Sequence, residues 1–138
     1  MANERPWKVI FVPEAESWLK GLTPRDRKRI DKSIEGLEQH GPVLGRPRGD
    51  SIRGSRHHNM KELRSMGGHI RVLFAFDRNR TAVMLVGGDK AGNWKRWYKE
   101  NIPVAEARYE RHLRQRGDEP PWRTRGPRTG GPSRGPGR

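Results

Sequence analysis

Five side chains in three short stretches have the types and spacing that phosphate and proton chemistry needs. Glu62 and Arg64 stand two apart in "KELR", Arg71 follows the first apolar residue of "HIRVLFAF", and Lys90 and Tyr98 fall within "GGDKAGNWKRWY". A guanidinium presents a planar fork of N–H donors that matches phosphate oxygens, and two of them on adjoining strands can form a bidentate clamp. A carboxylate, an amine and a phenol beside such a clamp supply the proton acceptor and donors of general acid–base catalysis. The plainer alternative is that the arginines are surface charges paired with Glu62 and Asp77.

Whether these groups meet depends on the elements that carry them. In "KELRS", strand alternation turns Leu63 and Lys61 toward a core and leaves Glu62 and Arg64 on the other face. In "HIRVLFAF", Ile70, Val72, Phe74 and Phe76 form the core set, so Arg71 projects beside Arg64 together with Leu73 and Ala75. "TAVMLVG" is a further strand, joined to the last by the tight turn "DRNR", in which Asp77 and Asn79 are turn formers. The glycine pair is not a phosphate loop, because the GxxxxGK[ST] spacing is absent. It reads as a turn at the strand end that brings Lys90 to the rim of the arginine-bearing face. Beyond it Trp94, Trp97 and Tyr98 interleave with Lys95 and Arg96, the mixture of rings and cations that single-stranded RNA recognition uses. Trp97 reads equally as a core anchor, and Tyr98 as a buried tyrosine.

The remaining elements form the support. "WKVIFV" (7–12) is β-branched and bounded by prolines, which predicts a strand. "PEAESWLKGL" is a short helix from Pro13 to Gly21. The next helix has Thr23 as cap, Pro24 in its first position, an apolar stripe of Ile30, Ile34 and Leu37, and Gly41 at its end. "GPVLGRPRGDSIRGSRHH" reads as a long loop, and a last helix begins after Ile102 with Ala105, Tyr109 and Leu113 in register. The order β-α-α-β-β-β-α predicts an α+β fold with a small, mostly antiparallel sheet and helices on one face.

Composition narrows the partners. Of 138 residues, 30% are hydrophobic and 33% charged, and the formal net charge is +14. Residues 116–138 are mostly Arg, Gly and Pro, a basic tail too poor in apolar groups to fold, which leaves 1–115 as the domain. The excess of positive charge on that domain favours a polyanion, with nucleic acid the natural choice. Lys61, Lys95, Arg96, Trp94 and the loop histidines His57 and His58 are the candidates for contacting RNA. The absence of cysteine excludes disulfides and thiolate chemistry. The five histidines lack metal-ligand spacing, so neither metal nor cofactor is expected. With no signal-peptide core and no run of membrane-spanning length, the expected compartment is the cytoplasm, without membrane partners.

In order, "WKVIFVPEAESWLKGL", "GRPRGDSIRGSRHHNMKELR", "IRVLFAFDRNRTAVMLVGGDKAGNW" and "YKENIPVAEARYERHL" resemble the HigB-like, phage-derived branch of the RelE/ParE superfamily of type II toxins, over about residues 5–115. The resemblance implies a metal-independent mRNA endonuclease acting on ribosome-bound messages and restrained by a helix-turn-helix antitoxin similar to HigA. It places Arg64, Arg71, Lys90 and Tyr98 in the catalytic set, with Glu62 standing where the RelE branch carries lysine. Two other readings stay open on sequence: a ParE-like, non-enzymatic inhibitor of DNA gyrase, and a plain RNA-binding protein.

Overall fold

The computed structural model describes residues 7–45, 48–52, 54–57 and 59–117. His58 and all but the first two residues of the tail expected over 116–138 lie outside the described residues. Strand β1 (Lys8–Phe11) leads into helix α1 (Pro13–Lys20) and helix α2 (Pro24–His40). Thr23 Oγ1 accepts the backbone N–H of Asp26 at 3.2 Å, Pro24 opens α2, and Gly41 ends it at φ +58°. These are the start and stop signals read from the sequence. A single 3-10 turn follows at Gly41–Val43. Then come β2 (Gly49–Ser51), β3 (Met60–Arg64), β4 (Ile70–Phe76), β5 (Thr81–Asp89) and helix α3 (Trp94–Gln115). The sheet order is β1-β5-β4-β3-β2, antiparallel except for the parallel β1–β5 pair. Among the described residues, no helix is long and apolar enough to cross a membrane.

The β4–β5 turn forms as its residues dictate. Asp77 Oδ1 accepts from the backbone N–H groups of Asn79 (2.8 Å) and Thr81 (3.3 Å), and Arg80 takes the left-handed conformation at φ 60°. Four features differ from the sequence expectation. First, β2 adds a three-residue edge strand inside the loop expected between α2 and β3. Second, α3 begins at Trp94 rather than after Ile102, with Pro103 in its interior. Third, β5 runs through Gly87 and Gly88 to Asp89, so the glycine pair belongs to the strand. The turn comes later, where Asp89 Oδ1 accepts from Ala91 N and Gly92 sits at φ +91°.

The fourth difference concerns the layers. A Cβ on Gly87 would meet the Trp18 ring of α1 at 2.2 Å, and a Cβ on Gly88 would meet Trp97 of α3 at 2.3 Å. Consecutive strand residues point to opposite faces. Helices α1 and α3 therefore cover opposite faces of the sheet, and the expectation of helices on one face is corrected. Both faces of the central strands are consequently apolar. Val72 and Phe74 are buried on the α1/α2 side and Leu73 and Ala75 on the α3 side. Ala105, Tyr109 and Leu113, near the end of α3, complete the second layer.

Candidate functional site

On the α3 face, the C-terminal half of the helix covers the apolar part of the sheet and its first turns cover a polar part. In the β3–β4 register Arg64 stands directly opposite Arg71, and Glu62 lies opposite Leu73 on the same face. Arg71 is in turn opposite Gly88. Gly88 carries no side chain, so Trp97 can lie against the strand, and Tyr98, next in sequence, is delivered to Glu62. The Trp97 and Tyr98 rings meet edge to face, with centroids 5.1 Å apart.

Glu62 is the centre of the arrangement. Its side chain is only 1% exposed, and a buried carboxylate must be paired and hydrogen-bonded to stay charged. Its Oε2 accepts from Arg64 Nε at 2.6 Å, and its Oε1 accepts from the Tyr98 hydroxyl. Arg71 Nε lies 3.9 Å from Oε2, buried and without a hydrogen-bond partner among the described residues. One Arg71 terminal nitrogen donates to the carbonyls of Gly68 (3.3 Å) and Ile70 (3.0 Å), which fixes the guanidinium plane. Arg64 also reaches Asp50 of β2 at 3.2 Å. The pairing of Arg64 with Glu62 therefore forms, whereas Asp77 is spent elsewhere, on His112 at 3.0 Å and Arg116 at 3.6 Å.

The electrostatics follow from this crowding. Burial works against the charge on Arg64, but the hydrogen bond it donates to Glu62 and the charges of Glu62 and Asp50 hold its pKa above the usual value. Desolvation, and then the Arg71 charge, push the Lys90 pKa down. Burial and the hydrogen bond to Glu62 push the Tyr98 phenol up, so it keeps its proton. Lys90 leaves the end of β5 and places Nζ 5.6 Å from the Tyr98 ring and 5.8 Å from that of Trp94. Arg64, Arg71, Lys90, Tyr98 and Glu62 are thus brought together.

The candidates for RNA contact divide. Trp94 is exposed beside Tyr98, and Lys95 lies next to it with Nζ 5.6 Å from its ring. Arg96 is held by Glu100 one turn along, at 2.9 Å. Lys61 lies on the sheet face opposite Glu62, because neighbouring strand residues alternate. His57 is corrected outright. Its ring is buried, lies 3.0 Å from Glu110 and packs edge to face on Tyr109, so it ties the loop before β3 to α3 instead of facing a ligand. Asp50 and the Trp97–Gly88 contact were not among the sequence candidates. The signal for Asp50 was an acid inside a basic, glycine-rich loop; the signal for the contact was two adjacent glycines, each with a tryptophan to receive.

Comparisons with known proteins follow the same lines. Residues 17–110 match the family described as "Phage derived protein Gp49-like (DUF891)". The Mycobacterium tuberculosis protein named "Putative toxin HigB3" is 51% identical over 105 residues, which cover 76% of this chain and 92% of that protein. A second protein of that organism, "Putative toxin HigB2", is 47% identical over 115 residues, 81% of this chain and 57% of its own length. Among solved structures, the isolated E. coli RelE toxin has a TM-score of 0.52 at 11% identity, covering 70% of this chain and 98% of its own. A mutant of E. coli RelE in the free state gives 0.53 at 11% identity, over 76% and 96%. At that identity the structural likeness concerns the fold.

Proposed function

The chain belongs to the phage-derived Gp49-like family, the HigB-like branch of the RelE toxin superfamily, and from that membership we propose that it is the toxin of a type II toxin–antitoxin pair and an endoribonuclease acting on ribosome-bound mRNA. The observation that carries the reading is the register match of Arg64 with Arg71 on a half-covered sheet face, with Lys90 at its rim. Three cations around one small area suit a phosphodiester, and the Arg64 and Arg71 side chains both keep part of their surface open, 27% and 11%.

In the proposed reaction the ribose 2′-oxygen attacks the neighbouring phosphorus and the bond to O5′ breaks. The products are a 2′,3′-cyclic phosphate and a 5′-hydroxyl. Arg64 and Arg71 hold the phosphate and neutralise the charge that develops on its oxygens. The 2′ proton passes to the Tyr98 hydroxyl as Tyr98 gives its own proton to Glu62 Oε1. This route suits a carboxylate with no surface of its own and a phenol that otherwise stays protonated. Lys90, with its pKa lowered by desolvation and by Arg71, gives a proton to the departing O5′ more readily than a free lysine would. None of these steps calls on a metal ion. The ribosome supplies the alignment of the message, and a helix-turn-helix antitoxin is the expected neutralising partner.

The test is expression of the chain without antitoxin, followed by mapping of message 5′ ends. Growth arrest with new ends inside translated codons supports the proposal. The Arg71→Ala variant, folded by circular dichroism, should lose cleavage by about 10²-fold or more, the scale for removing one charge-stabilising donor. Arrest with intact messages and broken DNA overturns it in favour of gyrase inhibition. Cleavage by a folded Arg71→Ala variant at the wild-type rate overturns the placement of the site.

A further inference from the structure

We infer that Trp94 is a stacking platform for a nucleobase adjacent to the scissile phosphate, so that the site grips RNA by one base as well as by its backbone. The inference rests on the ribonuclease reading above. Among the described residues Trp94 is the one tryptophan that is half exposed, at 50%. Trp7 packs on Phe76, Trp18 fills the space over Gly87, and Trp97 fills that over Gly88. Trp94 covers no core and leaves a large aromatic surface in water.

That surface is held in place. Asn93 caps the helix by accepting the backbone N–H of Arg96 at 3.1 Å, which sets Trp94 as the first residue of α3. The Trp94 ring then stands edge to face on Tyr98, with centroids 6.3 Å apart and planes at 77°. Tyr98 is fixed by its hydroxyl on Glu62 and by Trp97 behind it. Exposed aromatic area with its position already set can bind a flat π-system without a large ordering cost. The ring is also flanked by cations, Lys90 Nζ at 5.8 Å and Lys95 Nζ at 5.6 Å. A base on the ring would have its own phosphates within reach of both ammoniums. Rings interleaved with basic side chains beside a phosphate-binding cluster are how proteins hold unpaired nucleotides.

Binding of short, fully 2′-O-methylated oligoribonucleotides tests this, because they lack the attacking hydroxyl and stay intact. The full chain, Trp94→Ala and Trp94→Phe are titrated at low salt with the intact oligonucleotide and with a series in which each base in turn is removed. Trp94→Ala should bind the intact strand about tenfold more weakly, the scale of one base–aromatic stack, and Trp94→Phe should stay within about threefold of wild type. At one position, removal of the base should weaken the wild type and leave Trp94→Ala unaffected. Undiminished binding by Trp94→Ala, or a loss that no abasic position absorbs, overturns the inference and leaves Trp94 as a surface for a protein partner. Failure of the wild type to bind any of the strands overturns this inference alone, because the ribonuclease reading concerns messages held by the ribosome and stands or falls on the cleavage test above.

Discussion

Two adjacent glycines should cost similar stability but very different amounts of cleavage when each is changed to alanine. Gly88→Ala puts a methyl group 2.3 Å from Nε1 of Trp97, 2.9 Å from Cε2 and 3.0 Å from Cζ2. Nonbonded carbon contacts settle near 3.5 Å, so the ring must retreat by about 1.2 Å. Overpacking of this kind costs about 1–3 kcal/mol of stability. Trp97 and Tyr98 share the first turns of α3, so the retreat also draws the Tyr98 hydroxyl from Glu62. A misplacement of about 1 Å in a catalytic group can cost roughly 10²-fold in rate. Gly87→Ala makes an equally close contact, 2.2 Å, but with Trp18 on the other face. It should destabilise by a similar amount and leave cleavage by the folded protein within about threefold. The assay is message cleavage in a translating extract, normalised to the folded fraction from urea titration. Equal loss of cleavage in the two variants, or a greater loss in Gly87→Ala, would refute the assignment of the site to the α3 face.

Two further outcomes test the electrostatics. Glu62→Gln removes a buried charge shared by two arginines and should cost about 3 kcal/mol, the lower end for breaking a buried pair because Arg64 keeps Asp50; a urea midpoint at or above that of wild type would contradict this. The hydrogen bond from Arg111 holds Glu14 at about 2 rather than 4.5, and the pair ties α1 to α3. A depressed carboxylate pKa stabilises the fold above the unfolded value, and that contribution fades as pH falls from 4.5 toward 2. Glu14 is 40% exposed, so solvent screening limits the effect to about 1 kcal/mol or less. Glu14→Gln should therefore lower the urea midpoint near neutrality and match wild type at the acid end of that window.

Much of this arrangement was legible in the sequence, and the failures have identifiable causes. Alternation placed Glu62, Arg64 and Arg71 on one face correctly, because a strand has a period of two whatever covers it. It did not say what lies over that face. Leu73 and Ala75 were the clue, since a strand buried on both sides is apolar on both. The start of α3 was missed because Pro103 lacks the N–H of an interior helical residue and reads as a first-turn proline. Here Trp97, Tyr98 and Ile102 pack against the core ahead of it, and tertiary contacts outweigh the local preference. The glycine pair read as a turn because glycine usually marks one. Its use here is to leave room for two tryptophans, Trp97 nine residues on and Trp18 nearly seventy residues back, and a glycine alone does not show that a ring will lie over it. His57 looked like a solvated loop histidine because the carboxylate that receives it, Glu110, is more than fifty residues along the chain.

The parallel edge pairing has a consequence for synthesis. Lys8 pairs with Thr81, 73 residues later, so at 5–20 residues per second the first strand waits roughly 4–15 s for its neighbour to be made. Every member of the proposed site comes after residue 61, and its last member lies on the closing helix. A growing chain can pair Arg64 with Arg71 in the β3–β4 hairpin early, but Lys90 and Tyr98 join them only when the final quarter of the domain leaves the ribosome. On the proposed reading, the cations that would hold a message are made before the phenol that would move its proton, and the site is complete only once Tyr98 has folded onto Glu62.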